Sequence, residues 1–591
     1  MPVLFLIAML LCISITIGLI FSKNITFTFF PTIMLISLTV YLFGCLGLLN
    51  VGCIVLIIIS FVSLIFNIVN IKKIKEIFSV ELFLYLIILF LLSIVFFSKA
   101  HFTMWDEFTH WGSVLKNMFY FKSLPTDSFT SVANAYPPII SVFEYILLFI
   151  SKKYNEGLIY IALFILTSSV FVESFANISI KKNKCKFIIT SILLIVFPNI
   201  FAATSAFSSI YVDTIISLFF AYSLLKIVND EPDLFSIISS SLCLSFLFLT
   251  KDVGLVFGIV IYFSIFLNFI KRRNKYSKLL VKKSFIRKIG LLVLILLPIM
   301  FRIIWFVYIK NNIRVLNTYD MINFSYPDYG LTVISTFLST FFTNGLSTTS
   351  GLIFMPTFYW IILSCFLLYY SNKKECLELI SNIFVLTIGY LLFYLISYLF
   401  LFNESEALSM ASVGRYLSTL ALSVFAIPVY GGLVAFNNSK SCDNNHFIIV
   451  LAIVAFSIGY FPYVGKVFDL FSESQNNYSQ YDTILKYKDV LNDNNKVYYL
   501  SIDSTGLDYY IVQYLVTPYM LQNDKYDLYN CSNERPCADF NVILNNYDYV
   551  WLEHINKQFL DDYESLFDSA INEKSMYKVI NNKLVLLNDI K

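Results

Sequence analysis

Two adjacent carboxylates, Asp106 and Glu107, lie in the sequence Met-Trp-Asp-Glu-Phe-Thr-His-Trp, between Trp105 and Trp111. A carboxylate in this setting can act as a general base or as a metal ligand, and the indoles can hold a sugar ring. The alternative is an aromatic belt at a membrane surface that contains an incidental acidic pair. An isolated Asp-Glu pair is a weak signal, so its meaning depends on the charged residues that follow.

Three further ionisable residues stand at the ends of apolar segments: Asp213 in Ile-Tyr-Val-Asp-Thr, Lys251 in Thr-Lys-Asp-Val-Gly and Arg415 in Val-Gly-Arg-Tyr-Leu. Ionisable groups at membrane depth are costly, so they are functional candidates. Each also has a structural interpretation. Lys251 can extend to the interface, Asp213 can cap a helix, and Arg415 can pair with Glu404 or Glu406.

Two other features lie in or beside apolar segments. Arg302 stands inside the apolar window 289–309, where a guanidinium is expected to face a cavity or a phosphate. Tyr136 and two prolines open the segment 136–150, which is too short for a comfortable span and is predicted to be amphipathic or re-entrant.

The composition explains why these groups lie beside apolar segments. Of 591 residues, 58% are hydrophobic and only 14% are charged, and the mean hydropathy is +0.74. Soluble proteins have about 25% charged residues, so the sequence predicts an all-α polytopic membrane protein. A net charge of +3 argues against a nucleic-acid-binding protein.

About 14 apolar windows are long enough to be transmembrane helices: 3–22, 29–48, 51–70, 79–98, 157–179, 187–204, 209–228, 234–250, 253–270, 289–309, 351–370, 377–401, 415–437 and 447–466. Short basic loops are expected in the cytoplasm: 72–75, 181–186, 271–288 and 373–374. This alternation places both termini and the loop 99–156 outside the cytoplasm, with 136–150 not counted as a span.

The sequence therefore predicts three regions: accessory transmembrane helices at 1–78, a transmembrane catalytic domain at 79–471 and an external α/β domain at 472–591. In the last region, strands are predicted at 496–502, 542–552 and 578–587, and helices at 506–519 and 558–570. Cys531 and Cys537 would form a short disulfide loop if this region faces an oxidising compartment.

The order of these motifs resembles the GT-C superfamily of integral membrane glycosyltransferases, especially the aminoarabinose lipid A transferases and the protein O-mannosyltransferases. The resemblance covers residues 79–437 and is carried by these residues in order: Asp106-Glu107, Pro137-Pro138, Asp213, Thr250-Lys251 and Arg415-Tyr416-Leu417. Two departures stand out. Tyr136 occupies a place where the family often has Lys, and three spans precede the helix that would normally be the first.

The resemblance implies an inverting transfer of a sugar from a polyprenyl-phosphate donor to an acceptor outside a bacterial cytoplasmic membrane. Asp106 would be the base, and a divalent cation, Mg or Mn, could lie between Asp106, Glu107 and Asp213. The other roles implied are binding of the donor phosphate by Lys251, Arg415 and Arg302, and binding of the acceptor or sugar by Trp105, Trp111, Tyr136 and Glu404.

Three other functions stay open at this point. A flippase for lipid-linked glycans would place its ionisable residues near the middle of broken helices, whereas here they cluster at helix ends. A polysaccharide polymerase would be expected to carry a more Arg-rich loop than 310–350. A membrane scaffold would tolerate loss of Asp106 and Lys251.

Overall fold

The computed structural model describes residues 1–201, 207, 209–229, 233–271, 285–313, 326–343, 355–371, 376–438, 482–488, 491–492, 495–502, 506–519, 521–522, 540–568 and 571–587. The predicted span 447–466 and the predicted disulfide between Cys531 and Cys537 lie outside these residues.

Most of the described chain is helical. The helices are α1 (Pro2–Phe21), α2 (Ile25–Cys45), α3 (Leu49–Val69), α4 (Ile71–Ile77), α5 (Val80–Phe97), α6 (Gly112–Phe121), α7 (Ile139–Ser151), α8 (Glu156–Ser169), α9 (Lys184–Val196), α10 (Asp213–Asn229), α11 (Leu234–Thr250), α12 (Val253–Lys271), α13 (Phe285–Asn312), α14 (Gly330–Phe342), α15 (Thr357–Ser371), α16 (Cys376–Phe400), α17 (Glu404–Leu408), α18 (Val413–Asn438), α19 (Asp482–Lys488), α20 (Leu507–Val516), α21 (Phe540–Leu544) and α22 (Lys557–Tyr563). A π-helical turn spans Glu107–Trp111.

Seven of these helices, among the residues described, are long and apolar enough to cross a membrane. Every predicted window other than 447–466 contains a helix, so the chain is a multi-pass membrane protein. Several predicted spans are shorter helices than expected. The window 187–204 is one example, because α9 ends at Val196 and Pro198, which has no backbone N–H, lies in the 3₁₀ turn that follows.

The segment after the two prolines forms the short helix α7. Its N-cap is Pro138 and it has 13 residues, which gives a length of about 20 Å against about 30 Å for the hydrocarbon core of a bilayer. The helix is therefore too short to cross a bilayer alone.

The chain divides into two compact units. The membrane unit comprises Met1–Ala100, Lys122–Asp127 and Ala135–Ser472, and the second unit comprises His101–Phe121, Ser128–Asn134 and Glu473–Lys591. The sequence predicts that all of loop 99–156 belongs to the transmembrane domain. In the structure, most of its first half belongs with the C-terminal region.

Helices α10 and α18 form much of the core of the membrane unit and pack against each other. All described side chains are buried from Asp213 to Val228 in α10 and from Tyr416 to Tyr430 in α18. The C-terminal end of α18 is fixed by Lys186, whose ammonium donates to the carbonyl of Phe436 at 2.6 Å. Both helices are therefore firmly held along their length.

The second unit contains a five-stranded sheet of order β2-β1-β3-β4-β5. Its strands are β1 (Val497–Ser501), β2 (Leu521–Gln522), β3 (Tyr549–His554), β4 (Ser575–Ile580) and β5 (Lys583–Leu586). β1 pairs in parallel with β2 and β3, and β3–β4 and β4–β5 are antiparallel.

The predictions for this unit hold at 496–502 and 506–519, where β1 and α20 form. Two other predictions need correction. The window 542–552 begins in helix α21, and only its end is strand β3. The window 578–587 is a hairpin and not one strand, because Asn581 and Asn582 both have positive φ (49° and 61°), as a tight two-residue hairpin turn requires.

Candidate functional site

Three ends of neighbouring helices in the membrane unit carry the charged residues singled out in the sequence. Asp213 is the first residue of α10, Lys251 is the C-cap of α11, and Arg415 lies in the first turn of α18. Because α10 and α11 are consecutive and packed together, the start of one and the end of the other meet at the same end of the bundle. The fold therefore brings residues that are far apart in the sequence to one place.

Asp213 and Arg415 form a loose ion pair. The Oδ2 atom of Asp213 lies 3.9 Å from Nε of Arg415, and the two side chains are 2% and 12% exposed. Asp213 Oδ1 also accepts a hydrogen bond of 3.4 Å from the Thr419 hydroxyl, one turn further along α18. Ser217 reinforces this contact by donating to the carbonyl of Thr419 at 2.9 Å.

Two cations lie against the ring of Tyr416. The guanidinium carbon of Arg415 is 5.5 Å from the ring centroid, and the ammonium of Lys251 is 5.7 Å from it. Arg415 also lies 4.6 Å from the ring of Tyr211. Aromatic faces attract cations at such distances, so the rings hold both positive groups near Asp213.

The ring of Tyr416 is itself fixed by helix α16. It stacks on Tyr394 with 4.1 Å between ring centroids, and the Tyr390 hydroxyl donates to the carbonyl of Tyr416 at 2.9 Å. Tyr398 donates to the carbonyl of Ala411 at 2.6 Å, in the turn before α18. Three tyrosines spaced by four residues thus position the start of α18.

A tight turn between α11 and α12 positions Lys251. The amide of Gly254 donates to the carbonyl of Lys251 at 2.9 Å. A Cβ atom at Gly254 would lie 2.0 Å from the carbonyl oxygen of Leu247, so only glycine fits without a backbone shift.

Charge at this cluster favours an anionic ligand. Among the described residues of the cluster, Asp213 supplies one negative charge, whereas Lys251 and Arg415 supply two positive charges. Within the described residues, no carboxylate forms an ion pair with Lys251, and the neighbouring Asp252 pairs with Arg302 instead. The cluster can therefore hold a phosphate through charge-assisted hydrogen bonds.

The remaining candidates of the membrane unit lie in other settings. Arg302 contacts Asp252 and donates to the carbonyl of Phe248 at 3.2 Å, so its guanidinium already has protein partners. Glu404 and Glu406 are exposed and form no ion pair in the described structure, so the carboxylate found beside Arg415 is Asp213. Tyr136 is half-buried directly before the prolines that start α7.

The acidic motif of the first loop belongs to the second unit, where its two carboxylates differ. Glu107 is fully buried, and its Oε2 accepts hydrogen bonds of 2.8 Å from the amides of both Thr103 and Met104. This pattern stabilises the loop itself. Asp106 is partly exposed at the N-cap of the π-helical turn and makes no capping hydrogen bond.

The two indoles beside this motif also differ. Trp111 is 6% exposed and is part of the core, whereas Trp105 is 42% exposed. The Trp105 ring lies edge-on to Tyr510 of α20, with 5.9 Å between centroids. Of the two, Trp105 offers the surface to a ligand.

A buried lysine ties the loop to the C-terminal region within this unit. The ammonium of Lys116 donates to the carbonyl of Tyr514 at 2.6 Å and lies 4.0 Å from the Tyr514 ring centroid. Tyr514 is in the last turn of α20, where the helix dipole favours a cation. The first loop and α20 therefore share one core.

Sequence reasoning missed the aromatic residues that surround the cations. Tyr416 was part of a motif but received no role, and Tyr211 stands two residues before Asp213. The spacing of Tyr390, Tyr394 and Tyr398 was a usable signal, because residues four apart lie on one face of a helix.

Fold and site together define a multi-pass helical membrane protein that carries a small α/β unit and a cationic cluster at the ends of its helices. No family model and no curated protein matches the sequence. Among solved structures, the crystal structure of ArnT from Cupriavidus metallidurans in the apo state is similar over 85% of this chain and 97% of that chain, with 12% identity and a TM-score of 0.47.

Proposed function

We propose that this chain is a GT-C-type membrane glycosyltransferase that moves a sugar from a polyprenyl-phosphate donor to an acceptor outside the membrane. The observation that carries the proposal is the meeting of Asp213, Lys251 and Arg415 around Tyr416. A cluster with excess positive charge at the ends of apolar helices suits the phosphate of a lipid carrier, whose hydrocarbon chain can remain in the bilayer.

In this proposal Lys251 and Arg415 bind the donor phosphate and stabilise its charge as the bond to the sugar breaks. The acceptor hydroxyl attacks the anomeric carbon from the opposite face, which inverts that centre, and the carrier phosphate leaves. Asp213 holds Arg415 in position. Arg302 contacts Asp252, which follows Lys251 in the sequence. It is proposed to support binding of the donor phosphate from that position.

Asp106 is the proposed base, because it is the more accessible of the two adjacent carboxylates and can take a proton from the acceptor hydroxyl. Glu107 supports the loop that carries Asp106. Trp105, Tyr136 and Glu404 are proposed to contact the sugar or the acceptor. A requirement for a divalent cation, Mg or Mn, with Asp106 among its ligands, belongs to the same proposal.

The test is turnover of a panel of radiolabelled polyprenyl-phosphate sugars by the purified full-length protein. We expect the wild type to release the carrier phosphate, and Asp106→Asn and Lys251→Met to lose most of this activity. Asp561→Asn, an exposed carboxylate of the same unit as Asp106, should retain it. A parallel series with a chelator tests whether turnover requires a divalent cation.

Transport of lipid-linked glycan across a vesicle membrane without consumption of any donor would contradict the proposal and favour a flippase. Extension of a lipid-linked glycan by repeat units would favour a polymerase. Equal activity of the wild type and both site variants would remove Asp106 and Lys251 from the site.

A further inference from the structure

Three potential metal ligands that have no role in the proposed transfer meet in the second unit. One ligand atom each from Asp508, Glu553 and His554 lies within 4.8 Å of the other two. Glu553 and His554 end strand β3, and Asp508 lies in the first turn of α20.

The sheet topology explains why these residues meet. β1 and β3 are parallel neighbours, so their carboxyl ends lie at one edge, and α20 begins shortly after β1. In α/β folds, ligands bind in the crevice outside such carboxyl ends. The register shifts here, because Leu500 pairs with Leu552 but Ser501 pairs with His554. Glu553 is therefore the extra residue of a β-bulge, a device that re-aims side chains.

The carboxylate of Glu553 is only partly compensated by hydrogen bonds and positive charge from the protein. Its side chain is fully buried, and Oε2 accepts a hydrogen bond of 2.7 Å from the Trp551 indole. Within the described structure, Oε1 has no hydrogen-bond partner, and the nearest cation is Lys574 at 3.8 Å.

The hydroxyl of Ser501, at the same edge, is also buried without a hydrogen-bond partner among the described residues. Buried polar atoms normally have partners, so two such atoms at one edge of the sheet indicate that a ligand completes the site.

We propose that Asp508, Glu553 and His554 bind one divalent transition-metal cation at the carboxyl edge of β1 and β3. One imidazole and two carboxylates are ligands that Mn²⁺ and Zn²⁺ accept, whereas Mg²⁺ and Ca²⁺ prefer oxygen alone. The Trp551 hydrogen bond orients the Glu553 carboxylate, as outer contacts commonly do at metal sites. Ser501 pairs in register with His554, one of the three proposed ligands.

The site also has a structural consequence inside its own unit. Trp105 packs against Tyr510, two residues after Asp508 in the same helix. A cation that fixes the first turn of α20 therefore also stabilises the surface on which Trp105 lies.

The test is titration of the metal-free, full-length protein with Mn²⁺, followed by electron paramagnetic resonance, and with Zn²⁺, followed by calorimetry. We expect one bound ion per chain to depend on these residues, with affinity losses of about 10–100-fold or more for Glu553→Gln and for His554→Gln. Asp561→Asn, in the same unit, should bind like the wild type. Absence of saturable binding by the wild type, or unchanged binding by both ligand variants, would overturn the proposal.

Lys574→Met provides a second test that keeps every ligand and removes the competing ammonium. We expect it to bind the metal more tightly than the wild type, and unchanged affinity would contradict placement of the ion at Oε1 of Glu553. Binding is measured directly and without a sugar donor. A failure of metal binding is therefore distinguishable from a failure of the proposed transferase activity.

Discussion

Arg415 Nε lies 3.9 Å from Asp213 Oδ2, and both side chains are largely withdrawn from solvent. The pair joins the first turn of α18 to the first residue of α10, the two helices that form much of the core of the membrane unit. The contact therefore fixes the position of a cation at the end of the helix bundle.

The Asp213–Arg415 contact is expected to contribute to stability as well as to the site. Asp213→Asn leaves Arg415 without its described carboxylate, and we expect a loss of about 1–3 kcal/mol in the free energy of unfolding. A double-mutant cycle with Arg415→Gln, measured by unfolding in detergent, should give a coupling energy of about 0.5–3 kcal/mol. Additive effects would mean that the two side chains do not interact.

Lys251 is predicted to bind the donor phosphate and to contribute little to the stability of the fold. Lys251→Met removes a cation that forms no ion pair among the described residues, so the melting temperature should hardly change while kcat/KM falls about 100-fold. Lys251→Arg should retain most of the activity because it keeps the charge.

A matched control for this variant is Lys23→Met. Lys23 forms a surface ion pair of 2.6 Å with Asp233, the N-cap at the opposite end of α11. Exposed pairs contribute little, so its activity should match the wild type. Equal losses in Lys23→Met and Lys251→Met would indicate a general effect of charge and exclude a phosphate site.

The two carboxylates of the first loop are predicted to respond differently to substitution by the corresponding amide side chain. Glu107→Gln weakens the hydrogen bonds from the Thr103 and Met104 amides, which are each worth about 1.5–3 kcal/mol when the acceptor is charged. Hydrogen exchange of those amides should therefore accelerate. Asp106→Asn should leave exchange unchanged and reduce turnover. Protection that is unchanged in Glu107→Gln would show that its carboxylate does not hold the loop.

The sequence was informative where the signal is local. Asp213, Lys251 and Arg415 could be found because each charge interrupts an apolar pattern at a helix end, and the fold does bring them together. Tyr416 and Tyr394 were not predicted as partners, because their stacking joins two helices that the sequence does not align.

The role of Glu107 was also beyond sequence reasoning. Its neighbour Asp106 has the same chemistry, and only the folded loop shows which carboxylate accepts the amides of Thr103 and Met104. Backbone conformation set a similar limit in the C-terminal unit, where Asn581 and Asn582 turn one predicted strand into a hairpin.

The turn after α11 gives a prediction that separates position from charge. Gly254→Ala places a Cβ atom 2.0 Å from the carbonyl oxygen of Leu247, so the backbone around Lys251 must move although every charge is kept. We expect a lower melting temperature and a fall in kcat/KM that approaches that of Lys251→Met. Gly432→Ala is the matched control, because a Cβ atom there meets nothing within 4 Å, and alanine favours a helix by about 0.5–1 kcal/mol. If Gly254→Ala matched Gly432→Ala in both measurements, the geometry of this turn would not determine the position of Lys251.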